Sequence, residues 1–396
     1  MADTLGYPVI VTDGLWRKSL SAIRSLGKAG YEVHVMGDTY LTTGFWSRYT
    51  SRRIHAPVAS NDPEGFGNAL VAALEKFPAN RKPVLFAMED PTQMWVAHNI
   101  DRVRPLALFP ISSLESLEIA MDKGRTMAVA RELGLPTPGT WEASSAEDLQ
   151  RILTDEIGKR EFVIKPRTAR GSAGMVYNTR RSVDEWKQHW DEHGPLLVQE
   201  RIPRTGEGLG VSLLMDNQHE CVASFSHRRL KQYPVSGGPS TDRESIHSPE
   251  MERQSIELLK RLEWTGIAMV EWKLDPIDNT PKLMEINPRF WGSLELAIRS
   301  GVDFPVLFAR HALGEKLGPP PSYPDGVRCR WMIPGEILRY LSTPSNERES
   351  FNEFLDGLPQ SAEEWDPQDL RGALSTVVCA GGLALNPKYW KFLRRG

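Results

Sequence analysis

Residues 267–293, IAMVEWKLDPIDNTPKLMEINPRFWGS, decide the fold of this chain. Residues 267–274 are rich in β-forming side chains, and residues 282–287 alternate apolar and polar side chains, as a strand with one buried face does. The connecting residues 275–281, DPIDNTP, have the composition of a turn. The stretch therefore predicts a β-hairpin, and its register decides which side chains meet.

The predicted register brings acidic side chains together. A hairpin centred on Asp278 places Glu271 directly opposite Glu285, with Cβ atoms ~5 Å apart. Asn287 shares their face because side chains alternate along a strand. Opposed carboxylates repel each other and destabilise a sheet, and a bound cation removes that penalty. Glutamate and asparagine offer hard oxygen ligands, which suit Mg²⁺ or Mn²⁺ rather than Zn²⁺.

A solvated surface is the alternative explanation of the same pattern. On such a surface the two glutamates would pair with Lys273 and Lys282 instead of a metal ion. Arg289, two residues beyond Asn287, could supply positive charge to an anion on the metal. The hairpin alone leaves both explanations open, since short motifs recur by chance.

Composition argues against several classes of protein. The chain has 396 residues, of which 40% are hydrophobic and 25% charged, and its net charge is −3. These values are ordinary for a globular protein of two or three domains, and the mixed charges favour neither a nucleic-acid nor a membrane partner. Three widely spaced cysteines indicate a reducing compartment. No apolar stretch approaches the ~20 residues that span a bilayer, and no signal peptide is visible, so we expect a cytoplasmic protein.

The N-terminal region shows the β-α-β pattern of a parallel sheet. The pattern predicts three strands and two helices, at residues 8–12, 32–36 and 84–88 and at residues 19–29 and 65–77. No GxGxxG fingerprint of a dinucleotide-binding fold follows the first strand. Glu89 and Asp90 end the third strand, at the edge where open α/β sheets bind ligands. Asp90 before Pro91 also suits a helix N-cap, which is the interpretation we favour.

The middle of the chain alternates short predicted helices and strands. The helices are predicted at residues 113–134, 146–157, 182–193, 250–263 and 295–313, and the strands at residues 161–165, 175–179, 196–202, 211–215 and 221–225. Residues 168–174 (TARGSAG) predict a small-residue loop, and residues 233–241 predict a long flexible loop. After residue 318 three prolines mark a boundary, and the residues beyond it have no pattern to which we assign a role.

Two further candidate sites follow predicted strands. Lys165 ends a strand before the small-residue loop, whose backbone N–H groups could cradle phosphate oxygens or form an ordinary turn. Glu200 ends another strand, and Glu207 follows it in a glycine-containing segment. A carboxylate there could hold a ribose diol or an adenine amine, or it could pair with Arg201 or Arg204.

A basic segment surrounds a Gly-Gly turn. Arg228, Arg229 and Lys231 precede glycines 237 and 238, and Arg243 follows them. Several cations at one turn suit an anionic substrate or an acyl phosphate. A solvated basic loop explains the same residues equally well.

The order of these pieces resembles the ATP-grasp superfamily, specifically its carboxylate–amine ligases and the ATP-binding halves of carbamoyl-phosphate synthase. The resemblance covers residues 5–315. Its most specific part is Glu271 together with MEINPR at residues 284–289, and DK at 122–123 and FVIKP at 162–166 support it. QERI at residues 199–202 departs from the family pattern, in which an aromatic or aliphatic residue is more usual than Arg201.

The resemblance implies a role for each matching residue. By this resemblance, Lys123 and Lys165 contact the α- and β-phosphates, and a mobile lid over the phosphates is formed by Gly171, Ser172, Ala173 and Gly174. Adenine is implied to contact Glu200, Arg201 and the backbone of Ile202, and ribose to contact Glu207. The implied ligands of Mg²⁺ are Glu271, Glu285 and Asn287, with Glu285 bridging two ions. The implied catalytic cations are Arg289, at the transferred γ-phosphoryl group, and Arg228, Arg229, Lys231 and Arg243, at the acyl phosphate and the carboxylate.

The resemblance also implies the fold class, which is α/β and α+β. We expect an N-terminal domain with an open parallel sheet (1–112), a small lid subdomain (113–195) and an antiparallel-sheet subdomain that binds the metal (196–318). A C-terminal extension of unassigned role would follow (319–396).

The implied function is an ATP-dependent ligase that joins a carboxylate to an amine through an acyl phosphate and releases ADP and phosphate. Its implied partners are ATP, Mg²⁺ (or Mn²⁺), a small carboxylate and an amine such as an amino acid, and a homodimer is compatible with this interpretation. Two alternatives remain. One is a phosphoryl transferase in which a hydroxyl takes the phosphate, and the other is a non-catalytic nucleotide-binding interaction protein, against which the complete residue set argues.

Overall fold

The described part of the chain forms three β-sheets. The structure is a computed structural model, and it describes residues 5–168, 174–235 and 237–385. One sheet is parallel and lies in the N-terminal part of the chain, a second has four short antiparallel strands, and the third has six antiparallel strands.

The N-terminal sheet confirms the predicted β-α-β pattern. Its strands are β1 (Pro8–Val11), β2 (Glu32–Gly37), β3 (Thr50–His55) and β4 (Val84–Phe86), all parallel and in the order β3-β2-β1-β4. Its helices are α1 (Arg17–Lys28), α2 (Pro63–Leu74), α3 (Asp90–His98) and α4 (Ile100–Val103). The sequence gives no signal for the edge strand β3, because its residues TSRRIH are mostly exposed and polar.

The predicted helix over residues 113–134 is two helices, α5 (Leu114–Met121) and α6 (Lys123–Glu132). The break falls at Asp122, whose carboxylate accepts hydrogen bonds from the backbone N–H groups of Gly124 and Arg125. Asp122 therefore caps α6, and the cap fixes where Lys123 begins the helix.

The small antiparallel sheet contains β5 (Thr140–Glu142), β6 (Phe162–Pro166), β7 (Val176–Tyr177) and β8 (Leu196–Glu200), in the order β5-β8-β6-β7. Its helices are α7 (Ala146–Arg151), which continues as a π-helical turn over Ile152–Ile157, and α8 (Val183–His193). A capping box formed by Ser182 and Glu185 begins α8. One face of this sheet packs on these helices through a core that includes Ile164, Val198 and Trp186.

The large sheet contains β9 (Gly208–Met215), β10 (Cys221–Gln232), β11 (Ser240–Ile246), β12 (Gly266–Asp275), β13 (Thr280–Asn287) and β14 (Arg328–Arg330), in the order β13-β12-β9-β10-β11-β14. The remaining helices are α9 (Pro249–Arg261), α10 (Leu294–Arg299), α11 (Phe304–Ala312), α12 (Ile337–Ser342), α13 (Phe351–Leu355) and α14 (Leu370–Leu385). The predicted helix over residues 295–313 is thus divided into α10 and α11, which Gly301, with φ near +99°, separates.

The basic segment is mostly strand, so the alternative of a solvated basic loop does not describe it. β10 continues to Gln232, and β11 returns from Ser240 with Arg228 opposite Glu244 and Arg229 opposite Arg243. These two strands carry many polar residues, so the pattern of alternating hydrophobicity that predicts strands is weak there.

The hairpin of β12 and β13 contains a bulge that sets its register. The turn pairs Asp275 with Thr280, and regular pairing continues to Trp272 opposite Leu283. The next pair is Glu271 with Glu285, so Met284 is an extra residue on β13. Because side chains alternate along a strand, this extra residue moves Glu285 to the same face as Glu271.

Both faces of the large sheet are covered. One face contributes Phe225 and Met269 to a core shared with the N-terminal sheet, which supplies Val9 and Phe86. The opposite face packs on α5, α6 and α9 through residues such as Val211, Val270, Leu117, Met127 and Leu258. The polar site therefore lies at the margin of the core that joins the N-terminal and large sheets.

The C-terminal segment pairs with the N-terminal domain. Glu363 contacts Arg17 at 3.0 Å, Asp366 contacts Lys28 at 2.6 Å, and Asp369 contacts Arg24 at 2.9 Å. β14, from the same part of the chain, adds a strand to β11. The predicted domain boundaries stay predictions, but β8 begins after residue 195 and β14 after residue 318, so each boundary separates a strand from the rest of its sheet.

The helices and the cysteines bear on two expectations drawn from the sequence. Within the part of the chain that the structure describes, helices are all too short or too polar to cross a membrane. Cys221, Cys329 and Cys379 are free thiols, and two of them are buried.

Replacing Gly210 with alanine should destabilise the large sheet. An added Cβ would lie 2.5 Å from Cε1 of His227, whose ring is buried and hydrogen-bonded to Ser293 at 3.1 Å. Overpacking of this kind costs about 1–3 kcal/mol. Urea unfolding, compared at the first transition, measures the change. Gly318→Ala is the control, because nothing lies within 4 Å of its added Cβ, and equal losses in both variants would contradict this account.

Candidate active site

Two carboxylates face each other on the β12–β13 hairpin. Glu271 and Glu285 are directly opposite in the strand register, which confirms the predicted pairing. Asn287 lies on the same face and donates from Nδ2 to Oε2 of Glu271 over 3.4 Å. The hairpin therefore collects two carboxylates and one amide oxygen on one surface.

Cations from other elements balance these carboxylates. Nη2 of Arg229 lies 2.5 Å from Oε1 of Glu271, and Nζ of Lys123 lies 3.5 Å from Oε2 of Glu285. Lys273 instead donates to the backbone oxygen of Ile202, and Lys282 pairs with Asp275 and Asp278. The solvated hairpin with Lys273 and Lys282 as partners is therefore not the arrangement observed. The like-charge contact is compensated by cations from β10 and α6.

The two carboxyl groups titrate in different directions. Burial raises the pKa of Glu271, and the Glu285 carboxylate adds to that effect while Arg229 opposes it. Burial also disfavours the ionised form of Glu285. The positive charge of Lys123, the hydrogen bond with Glu271, and the charges of Lys165 and Arg289 outweigh burial, so the pKa of Glu285 is lowered. The pair titrates as a coupled unit, in which burial and like charge oppose full ionisation and the surrounding cations favour it.

Lys123 is positioned by an ion pair behind it. Asp122 caps α6 and receives Nε and Nη2 of Arg167 at 3.0 and 2.7 Å. The backbone N–H of Lys123 donates to the carbonyl oxygen of Arg167 at 3.0 Å. The start of α6 is thereby fastened to the end of β6, which carries Lys165, so both lysines share one rigid support.

Lys165 is buried, with 7% of its surface exposed, and it points along the face that carries Gln199. Its Nζ donates to Oε1 of Gln199 at 2.6 Å. Burial lowers the pKa of Lys165 to about 8, with nearby Lys123 adding to the effect and Glu285 opposing it. Gln199 is a site residue that the sequence argument missed, although it directly precedes Glu200 in the quoted motif.

Arg289 joins the hairpin to the N-terminal domain. Its Nε lies 3.0 Å from Oδ1 of Asp90, and its Nη2 donates to Oδ1 of Asn287 at 3.3 Å. Glu89 pairs with Lys18 at 2.6 Å, and Lys18 also donates to the backbone oxygen of Phe290. The sequence did not predict Lys18.

The favoured interpretation of Asp90 as a helix cap is wrong. Asp90 is the first residue of α3, and Glu89, which precedes the helix, makes no side-chain cap hydrogen bond. Both carboxylates instead face the cations beside the hairpin, at the carboxyl end of β4. This is the edge at which open parallel sheets bind ligands.

The basic segment does not converge on the carboxylates as a group, because a strand turns successive side chains to opposite faces. Arg229 contacts Glu271, whereas Arg228 pairs with Glu244 on the other face. A bulge after Arg229 leaves Lys231 paired with Glu349. Arg228 and Lys231 thus form ion pairs away from Glu271, and their role at the acyl phosphate and the carboxylate stays a prediction.

Arg243 is fully buried and lies away from solvent. Its guanidinium contacts Glu363, which Arg17 also contacts, and Nη2 lies 3.7 Å from Sγ of Cys329. Arg243 thus belongs to the ion pairs that hold the C-terminal segment, which corrects its assignment to an open substrate pocket.

The predicted adenine and ribose contacts lie around the end of β8. The side chain of Glu200 faces the core side of the small sheet, opposite to Lys165, and accepts from Arg160 at 2.5 Å and from the N–H of Gly139 at 3.1 Å. Its expected partners Arg201 and Arg204 are not the ones observed, and Arg201 contacts Glu161. The structure does not bring the Glu200 carboxylate to Lys165.

Ile202 and Glu207 are the remaining predicted nucleotide contacts. The carbonyl oxygen of Ile202 accepts from Lys273, and the residue is buried. The Glu207 carboxylate is half-exposed, and its Oε1 lies 4.0 Å from Nη1 of Arg228. Glu207 is therefore open to a further contact, and its ribose role stays a prediction.

Gly174 is the one predicted lid residue within the described part of the chain, since Gly171, Ser172 and Ala173 lie outside the described residues. Its carbonyl oxygen accepts from Nε2 of His189 at 2.9 Å. A Cβ at this position would lie 2.7 Å from Cγ of Pro166, and φ is +69°. Gly174 is packed against α8, and only glycine suits its conformation.

The donor set fits a hard divalent cation. Glu271, Glu285 and Asn287 offer carboxylate and amide oxygens on one face, which is the ligand type of Mg²⁺ and Mn²⁺. Lys123, Lys165, Arg229 and Arg289 around them suit a polyanion such as a phosphate chain. The site can therefore bind a metal–phosphate complex.

Comparison with known proteins agrees with this geometry. Residues aligned to the carbamoyl phosphate synthase large chain of Gemmatimonas aurantiaca are 25% identical over 219 residues, which is 52% of this chain and 19% of that protein. D-alanine–D-alanine ligase A of Bacillus cereus is 26% identical over 186 residues, which is 44% of this chain and 60% of that protein. The chain thus covers less than two thirds of either relative.

A solved structure shares the fold. Biotin carboxylase from Campylobacter jejuni superposes with a TM-score of 0.62 and 17% identity, over 78% of this chain and 72% of that one. This likeness shows the shared fold. Residues 194–333 match the family model described as "ATP-grasp in the biosynthetic pathway with Ter operon". The family model, the two relatives and the shared fold all point to the ATP-grasp superfamily.

Glutamine substitutions of the two carboxylates should change stability in opposite directions. At pH 7 without divalent ions, Glu271→Gln should raise the free energy of the first unfolding transition by ~0.2–1 kcal/mol, the scale of a cross-strand charge pair. Glu285→Gln should lower it by a similar amount, because Lys123 and Lys165 lose their counter-charge. Chemical unfolding measures both values, and the variants are compared at the first transition.

The pH dependence tests the sign of the Glu271 effect. A carboxyl group with a raised folded-state pKa contributes stability below its unfolded pKa, and this is lost as pH rises through the folded pKa. The advantage of Glu271→Gln should therefore grow towards pH 7 and vanish below roughly pH 4. Equal destabilisation by both substitutions at pH 7 would contradict the assignment.

Proposed function

We propose that this chain is an ATP-dependent carboxylate–amine ligase. The observation that carries the proposal is the opposed pair Glu271 and Glu285, with Arg229 and Lys123 at 2.5 and 3.5 Å from its oxygens. The names of the relatives support it, since one is a D-alanine–D-alanine ligase. The similar biotin carboxylase structure is a complex with β-γ-ATP, which supports a nucleotide as the phosphoryl donor.

The proposed roles follow from position. Lys123 and Lys165 bind the phosphate chain, and Gln199 orients Lys165. Glu271, Glu285 and Asn287 hold Mg²⁺ or Mn²⁺. When bound, the ion would neutralise phosphate charge and help align the γ-phosphoryl group. The adenine and ribose contacts near Ile202 and Glu207, and the lid at residues 171–174, are part of the same proposal.

Arg289 stands at the proposed meeting point of nucleotide and second substrate. It reaches from the hairpin to Asp90, beside the pair formed by Lys18 and Glu89. These residues offer both signs of charge at the carboxyl end of the parallel sheet, as recognition of an amino acid would require. We therefore place the carboxylate and the amine between β4 and the end of β13.

The proposed reaction needs no nucleophilic side chain. A substrate carboxylate oxygen attacks the γ-phosphorus of ATP, and the bond to the oxygen of ADP breaks. The acyl phosphate formed is attacked by the amine, and phosphate leaves as the amide forms. Arg289 and Arg229 stabilise negative charge on the phosphoryl group, and exclusion of water protects the acyl phosphate from hydrolysis.

Product analysis tests this reaction. Carboxylic acids are screened against amino acids with Mg·ATP, and release of ADP and phosphate is followed. Hydroxylamine replaces the amine in a second assay, and we expect a hydroxamate because the acyl phosphate is trapped. AMP with pyrophosphate, or a stable phosphorylated hydroxyl compound without hydroxamate, would overturn the proposal in favour of another reaction.

Matched variants connect the products to the carboxylate pair. Glu285→Gln should reduce turnover by at least about a hundredfold, since it removes a ligand of the ion that aligns the phosphoryl group. Glu257→Gln removes an exposed carboxylate of α9 that pairs with Arg253 and should leave turnover unchanged. Comparable activity in both variants would separate the chemistry from this site.

Nucleotide binding should take up a proton at alkaline pH. Burial lowers the pKa of Lys165 to about 8, and the lysine must be protonated to bind phosphate. Affinity for Mg·ATP should therefore fall by about tenfold per pH unit above that pKa. Calorimetry in two buffers of different ionisation enthalpy measures the proton uptake. Lys165→Arg stays charged and should lose it, whereas unchanged uptake would assign the proton to another group.

A further inference from the structure

The last turns of α8 carry a cluster that the proposed reaction does not use. His189, Glu192 and His193 lie in the sequence HWDEH, and one ligand atom from each lies within 4.8 Å of the others. We propose that these three residues form a second metal site, which takes a transition metal ion of the Zn²⁺ class. It lies on the helix that packs on the small sheet, whereas Glu271 and Glu285 belong to the large sheet.

Sequence spacing places the ligands on one side of the helix. Residues four apart lie one above the other, and two histidines with this spacing are a common way for a helix to hold Zn²⁺. The rings of His189 and His193 have centroids 4.5 Å apart. Glu192 is adjacent, with Oε2 3.8 Å from Nε2 of His193.

The hydrogen bond of His189 fixes its tautomer. Nε2 lies 2.9 Å from the carbonyl oxygen of Gly174, which can only accept, so Nε2 carries the proton. The lone pair of the ring is then on Nδ1. Metal-binding histidines usually donate their other N–H to a carbonyl or carboxylate in this way, and the bond orients the ring.

Glu192 is oriented by a neighbour as well. Nε2 of Gln188, one turn earlier, donates to Oε1 of Glu192 at 3.2 Å. The second oxygen, Oε2, is the one nearer to His193. His189 and Glu192 therefore each have a hydrogen-bond partner that holds the side chain.

The chemistry of the donors selects the ion. Two imidazoles and one carboxylate suit Zn²⁺, Co²⁺ or Ni²⁺, whereas Mg²⁺ prefers oxygen ligands alone. A tetrahedral Zn²⁺ with ligand distances of about 2.0–2.1 Å brings its ligand atoms to roughly 3.4 Å from one another. The side chains of His193 and Glu192 are 32% and 56% exposed, so both can rotate to close that gap, and water can supply the fourth ligand.

The inner histidine, His189, is buried, and its ring is packed on the core side. Trp186 packs against His189 and limits the approach of water from the core side.

A purely structural role is the competing explanation. In that case His189 only holds Gly174 in place, and Glu192 and His193 are ordinary surface side chains. This explanation predicts no specific metal binding and no effect of the exposed residues on it.

Zinc titration distinguishes the two explanations. The full chain, saturated with Mg²⁺ so that the carboxylate pair is occupied, is titrated with ZnCl₂ in a calorimeter. We expect one Zn²⁺ per chain, and His193→Gln or Glu192→Gln should weaken binding by at least about tenfold. Both side chains are at least partly exposed, so the variants should fold. His98→Gln is the control, because His98 is also an exposed helix histidine with a carbonyl contact one turn back.

Spectroscopy adds a readout that no structural role would change. Co²⁺ bound to two imidazoles and a carboxylate should give visible absorption bands, which His193→Gln removes. Zinc binding that is unchanged in both cluster variants, or that is lost in Glu271→Gln instead, would overturn the proposal and assign the ion to the hairpin.

Discussion

The carboxylate pair exists because β13 contains one residue more than β12 between the turn and the site. Regular pairing from the turn would set Met284 opposite Glu271 and direct Glu285 to the core on the other face. The extra residue reverses the face to which each later side chain of β13 points, and this places Asn287 on the face of Glu271 and directs the chain towards Arg289. Inserting or deleting one residue between the turn and Glu285 would therefore separate these site side chains, although each of them would still be present in the chain.

Charge balance around this pair is assembled from distant parts of the chain. Lys123 begins α6 and contacts Glu285, and Arg229 lies on β10 of the same sheet and contacts Glu271. Arg289 contacts Asp90 in the N-terminal domain. Each cation is itself held, as Lys123 is by the pair of Asp122 and Arg167 behind it. Such fixed charges keep their orientation when a ligand arrives, which is the condition for strong electrostatic stabilisation in a polar site.

The parts that the sequence predicted are those with local signals. The hairpin and the parallel N-terminal strands follow from alternation and turn residues, whereas the opposition of Glu271 to Glu285 also depends on the bulge. The ion pairs of the basic segment could not be predicted because Arg228 and Arg243 pair with acidic residues that are distant in sequence. Glu363 lies 120 residues from Arg243. Interior ion pairs also make β10 and β11 polar, so the usual strand pattern is absent. The bulge left no mark in composition, although the assumed turn centre happened to give the same register.

The acidic residues of the C-terminal segment have a consequence for the order of folding. Arg24 is buried beside Asp369, which is separated from it by 345 residues, and Arg17 contacts Glu363 over a similar separation. During synthesis the N-terminal sheet emerges long before Glu363 and Asp369, the acidic partners that the described residues give these arginines. The nascent domain must therefore keep that surface hydrated, and its final desolvation waits for these acidic residues to leave the ribosome.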